Sequence, residues 1–450
     1  MTIAYEAVSA TELLGEYRPG SSSIFSSPRH TLLAGGVADV VAPAWTMREL
    51  AERVREHHDL VLGAIPFDDP ASARLITPVR ARWADPFVPG EPPPRQGARP
   101  WRITPVPTPA EHLESVRRVL ELLGTGAVEK VVLARSLELT RPEPVDVAAM
   151  VRRLAVRDPH GHVFAVDLPG GRTLVGASPE LLVSRDGPAV VANPLAGSAA
   201  RSADRAEDRR RAAALLCSAK EQHEHAVVVE AVAAALAPHC RTLSVPAEPS
   251  LICTSTMWHL SSRITGRLAD PRTTALDLAV ALHPTPAVCG TPTAAARAAI
   301  AGIEPFDRGF YTGMVGWCDA SGDGEWAVAI RCAEVTGGGV RLFAGGGIVT
   351  GSVPEEELAE TSAKFRTLLQ ALGLAPDLDV DLDLGTGHST DLDTGHSTDL
   401  DTGLGTGHGT DVGGHGTDVG TGLGADPVAG MGAVTVIGER PRGSRCGSCG

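Results

Sequence analysis

The chain has 450 residues, 43% of them hydrophobic and 21% charged, a globular composition with enough apolar side chains for a large core. Its net charge of −14 at pH 7 argues against a phosphate-binding surface, so nucleic acid is not an expected partner. No apolar run approaches the roughly eighteen residues of a membrane span, and MTIAYEAVSATELLGEYRPG lacks the basic flank and apolar core of a secretory leader. A cytoplasmic protein with no membrane partner is the expectation.

Of the elements in chain order, the Pro/Arg-rich stretch 87–109 reads as a long surface connection. A helix follows it: Thr108 caps, Pro109 suits the first turn, Glu111 completes a capping box, and Leu113, Val116, Leu120 and Leu123 form a stripe that ends at Gly124 and Gly126. Apolar runs at 130–139, 162–168, 172–178 and 181–185 predict strands. A long helix is expected over 204–236, then helices over 274–282 and 355–372. Between the last two, 317–320, 325–335 and 340–349 read as strands, with hairpin turns at SGDG and TGGG. Helices and strands without βαβ regularity make an α+β fold.

After Leu374 the composition changes. The segment from Asp377 to Gly450 carries eleven Asp and one Glu against three Arg, so −9 of the net charge sits there. DTGHSTDL-like units recur with few large side chains, and such a segment is expected to be disordered. The division predicted is a catalytic domain over 1–375 and a Gly/Asp-rich low-complexity tail over 376–450. GGHGTDVGT (413–421) matches a calcium-binding β-roll unit, but one copy does not build a solenoid. Six cysteines lie singly and read as reduced thiols. Cys446 and Cys449 form a lone CxxC, too little for a zinc site.

Four constellations carry chemistry. Lys130 opens an apolar strand, either as an edge residue reaching water or as a desolvated base. Glu180 lies in GASPELLVS, where it either turns outward or, facing a cavity, becomes a general acid through burial. Glu221, Glu224 and His225 share a helix face, and Glu357, Glu360 and Lys364 follow one another at one-turn spacing on another. Each set alone reads as a solvated face; together they can offer oxygen ligands to Mg²⁺. NPLAGSA and FAGGGIV contain glycine turns whose N–H groups can hold a carboxylate.

KVVLAR, GASPELL, PLAGSA, KEQHEH, LHPTPAVCG, GMVGWCD, GEWAVAIRCAEV, LFAGGGIV and ETSAK occur in the order seen in chorismate-utilising enzymes, and VLGAIPFD upstream also matches. The chain resembles that family over roughly residues 20–374, most of all its isochorismate-forming siderophore branch, which feeds 2,3-dihydroxybenzoate. The resemblance implies two facing β-sheets with helices outside, chorismate as substrate, Mg²⁺ as cofactor, and a downstream isochorismatase without a stable complex. It implies Lys130 as base and Glu180 as acid. Glu224 and Glu360 would hold Mg²⁺, with Glu357 acting through water. Gly197 and Ser198 would hold the ring carboxylate; Tyr311, Arg331, Gly345 and Lys364 the enolpyruvyl carboxylate; His259 and Ala287 would line the pocket. Lys130 and HPTPAV favour isochorismate formation. Salicylate synthesis and a catalytically silent chorismate-binding scaffold are the alternatives.

Overall fold

A computed structural model describes residues 8–57, 59–91 and 101–374; the tail with its repeat and CxxC lies outside the described residues. The Lys130–Thr140 strand shows how the layers form. Side chains alternate across a strand, so Leu137 and Leu139 join a core on one face while Ala134 joins a different core on the other. Lys130 and Val132 share the face of Ala134.

Among the described residues, ten strands form one sheet, in which Lys130–Thr140, Gly339–Ile348, Cys332–Thr336, Arg172–Ser178 and His162–Leu168 are neighbours in that order. Nine form a second, with Ala189–Asn193, Leu181–Asp186, Gly324–Val328, Met314–Cys318 and Val61–Ile65 side by side. Leu195–Ala200, Met257–Ser261 and Ser250–Cys253 make a third, small sheet. Phe25, Phe164, Leu174 and Phe343 of the first sheet meet Leu62, Ile76, Val315 and Ala327 of the second in one apolar layer between the two.

Helices cover the outer faces. Ala10–Glu16, Val147–Arg157 and Pro354–Ala371 pack on the first sheet, and Met47–Glu56, Ala219–Leu236 and Ala275–Leu282 on the second. The expected α+β architecture of two facing sheets with external helices is the one observed. The Pro109–Gly124 helix carries the capping box read from Thr108 and Glu111.

Three expectations need correction. The helix over 204–236 is two, Arg205–Cys217 and Ala219–Leu236, broken at Ser218, which ends the first and caps the second by accepting from the Glu221 N–H. The strand over 325–335 is also two: Gly324–Val328 lies in the second sheet and Cys332–Thr336 in the first. At the crossover the Ala329 and Arg331 backbones bond to Gly313 and Ala177, and Arg331 takes φ 49°. Finally, the connection over 87–109 contains the strand Arg102–Val106, which pairs with Lys130–Thr140.

Candidate active site

Where the sheets part, one cavity collects Glu180, Gly197, Ser198, Glu224, His259, Ala287, Tyr311, Arg331, Gly345, Glu360 and Lys364. Two expected residues are not on its wall. Lys130 is fully buried and Glu357 is 1% exposed, both standing one layer behind. Lys130 Nζ lies 2.9 Å from Glu224 Oε1, an ion pair whose angle is too poor for a hydrogen bond. Gly347, which does line the cavity, stands against this pair: a Cβ there would meet both Lys130 Cε and Glu224 Oε1. Its neighbour Gly346 faces the opposite way, toward Glu357.

Glu180 follows Pro179 at the start of the Leu181–Asp186 strand. Its N–H donates to Ser178 Oγ, and its carbonyl accepts from the Val328 N–H. Burial pushes its carboxyl up to about 8, against the opposing effects of the Leu195 N–H and the Lys130 charge. It is therefore largely protonated near neutral pH, as a proton donor must be. That Lys130 influences it electrostatically puts both groups in one field.

Four carboxylates meet on the helical side. Glu221 and Glu224 come from Ala219–Leu236, Glu357 and Glu360 from Pro354–Ala371. Lysines interleave with them: Lys130 at Glu224, Lys220 Nζ 2.8 Å from Glu357 Oε1, Lys364 Nζ 2.5 Å from Glu360 Oε1. Burial, then Glu224 and Glu360, push Glu221 up to about 7. Burial also raises Glu360, but Lys364, Ser198 and Lys220 outweigh it and the net direction is down.

As the lysines stand, no three carboxylate, imidazole or thiol groups among the described residues converge to ligate an ion. The donor set nonetheless suits Mg²⁺. It is all oxygen, Glu357 Oε2 is buried without a hydrogen-bond partner, and the glycines at 346 and 347 leave room against Glu357 and Glu224.

Facing this cluster, Arg331 is 5% exposed and its Nη1 has no hydrogen-bond partner. Its Nη2 donates to His259 Nε2 at 3.3 Å. Burial, then Arg331 and Lys364, hold His259 well below the usual imidazole range, so the ring is neutral and Nε2 accepts. Ser198 and His259 are opposite partners on adjacent strands of the small sheet. Both Ser198 donors serve carboxylates, N–H to Glu221 at 3.0 Å and Oγ to Glu360 at 2.7 Å. Tyr311 stacks on Phe343 at 4.9 Å, and Lys364 donates to the Gly345 carbonyl at 2.8 Å.

A family model described as chorismate binding enzyme matches residues 68–373. The chain belongs to that family. Isochorismate synthase DhbC of Bacillus subtilis (strain 168) is 53% identical, over 81% of this chain and 96% of that protein. Among solved structures, DhbC from Bacillus anthracis aligns with a TM-score of 0.78 at 48% identity, covering 81% of this chain and 100% of that one. The menaquinone-specific isochorismate synthase MenF from Escherichia coli aligns with a TM-score of 0.70 at 26% identity, over 82% and 92% of the two chains.

Residues behind the cavity wall, beyond those the resemblance assigned, support it. Glu221 is the fourth carboxylate, and its i,i+3 spacing to Glu224 was a visible signal. Lys220 had none, since a lysine among glutamates on a helix reads as a solvated face. His225 is fixed between the Ala196 carbonyl (3.1 Å) and Ser262 Oγ (2.8 Å), bracing the Leu195–Ala200 segment, a strand where a glycine turn was expected, that carries Gly197 and Ser198.

Proposed function

We propose that this chain is an isochorismate synthase of the 2,3-dihydroxybenzoate branch. It converts chorismate to isochorismate, adding water at C2 and releasing the C4 hydroxyl as water. The 53% identity to an isochorismate synthase across nearly its whole length supports the reaction, and no described helix is long and apolar enough to cross a membrane.

The observation that carries the mechanism is the pairing of a protonated Glu180 on the wall with Lys130 behind the side-chain-free Gly347. In the reacting form Lys130 is the free amine; it takes a proton from the attacking water through that gap and becomes the ammonium that pairs with Glu224. Glu180 gives its proton to the departing hydroxyl, so the protons balance and the ring double bonds shift between C4 and C2. Arg331, with its free Nη1, Tyr311 and Lys364 hold the enolpyruvyl carboxylate. Gly197 and Ser198 orient the ring carboxylate, and His259 and Ala287 fill the remaining wall.

Glu224 and Glu360 would hold Mg²⁺, with Glu357 and Glu221 supporting it from behind. When bound, the ion supplies Lewis-acid stabilisation at the ring carboxylate. Incubation with chorismate, with and without Mg²⁺, tests the reading by product mass. Isochorismate conserves the mass of chorismate; loss of pyruvate would identify a salicylate synthase, and no conversion would leave a binding protein.

A further inference from the structure

The three lysines among the carboxylates are not equivalent. Lys130 is fully buried and held by its strand. Lys364 is 13% exposed and tied to both Glu360 and the Gly345 carbonyl. Lys220 is 26% exposed and stands on the first turn after the Ser218 break; among the described residues its ammonium pairs with Glu357 at 2.8 Å and Glu221 at 3.4 Å, one from each helix. It bridges the two acidic helices as a divalent ion between them would. An ammonium on the supporting Glu357 and Glu221 and Mg²⁺ on Glu224 and Glu360 cannot coexist at low cost, because Lys220 already lies within the field of Glu360 and like charges a few ångströms apart repel.

We propose that Lys220 is a displaceable counter-ion: it neutralises Glu357 and Glu221 until Mg²⁺ loads, then gives up these contacts and swings its head to solvent. This rests on the carboxylates being the Mg²⁺ site. It deepens that reading by naming what the metal displaces. The flexible four-carbon stem and partial exposure ease the exit, whereas Lys130 is fully buried and Lys364 is also held by the Gly345 carbonyl. Lys220 then has two opposed effects. It lowers metal affinity, and it stabilises the protein before the metal arrives by screening four glutamates from one another.

The test is calorimetric titration of Mg²⁺ into full-length wild type, Lys220→Met, Lys220→Gln and Lys220→Arg, with thermal unfolding of each in EDTA and in saturating Mg²⁺. Removing a competing charge-assisted hydrogen bond is expected to tighten Mg²⁺ about tenfold or more in Lys220→Met and Lys220→Gln, while Lys220→Arg, which keeps the charge, stays near wild type. In EDTA the two neutral variants melt below wild type; in saturating Mg²⁺ the deficit closes. Unchanged or weaker Mg²⁺ binding in both neutral variants, or a deficit that persists with metal, overturns the proposal. If wild type takes up no Mg²⁺ at all, the metal site itself is wrong, an outcome separate from failure of the variants alone.

Discussion

Glu180 and Glu325 are glutamates of nearly equal burial, 2% and 1% exposed, one at the mouth of a strand and the other within its neighbour in the same sheet, yet their carboxyls are driven in opposite directions. Burial pushes both up. At Glu325 it is outweighed by His162, whose Nε2 lies 3.1 Å away, and by Ser27 Oγ donating at 3.0 Å. His30 also lies 3.5 Å from Glu325, but its Nε2 accepts from Trp317 Nε1 at 3.1 Å, so that ring is neutral and the contact is not an ion pair. Glu180 has only the Leu195 N–H and the more distant Lys130 to oppose burial. Depth alone does not decide a carboxyl's charge; its partners do. Glu325 clips the two sheets together through His162, and Glu180 is left ready to lose a proton into a cavity.

Glu180→Gln should break the functional half of this contrast, lowering turnover by about 10²–10⁴ with the fold retained. Lys130→Ala should do the same. Chorismate turnover and circular dichroism check both, and near-normal rates would return either residue to a structural role. Glu325→Gln should break the other half. Leaving the buried partners of that carboxylate imperfectly bonded costs about 1–3 kcal/mol, read as a lower urea midpoint.

A pH series sharpens the difference. Because the folded carboxyl of Glu180 holds its proton up to about 8, against 4.5 for the free side chain, folding binds a proton between those values. Wild type therefore loses stability relative to Glu180→Gln as pH rises through that window, by up to about 1.4 kcal/mol per pH unit, with no further change above it. Unfolding midpoints at pH 5, 6, 7 and 8 should show the gap opening steadily. The smallest effect is expected from truncation after Leu374, one residue past the family match, which should leave turnover and melting temperature near the full-length values.

Lys130 was legible because a charged residue opening an apolar strand has two outcomes, and period-2 alternation then puts it on the face of Val132 and Ala134. The Ser218 break had a local signal, the S-x-x-E spacing to Glu221, masked by the Ala-rich sequence around it. Only half of that box forms, since the Glu221 carboxylate accepts from Ser198 instead. The edge strand Arg102–Val106 was hidden by Pro105, which demotes a strand reading although an edge tolerates proline. The change of sheet at Arg331 had no local signal. WAVAIRCAEV reads as one strand, and only tertiary bonds to Gly313 and Ala177 stop it.

That crossover has a mechanical meaning. Arg331 sits where the chain leaves one sheet and enters the other, so the backbone that carries its guanidinium is held on both sides of the crossover. If the proposed seating holds, a carboxylate on Arg331 would act as a rivet through the seam, and a slide of one sheet past the other would drag the substrate with it. The occupied enzyme should accordingly resist opening between its layers more than the empty one, with slower amide exchange at Ala329–Cys332 as the trace of that stiffening.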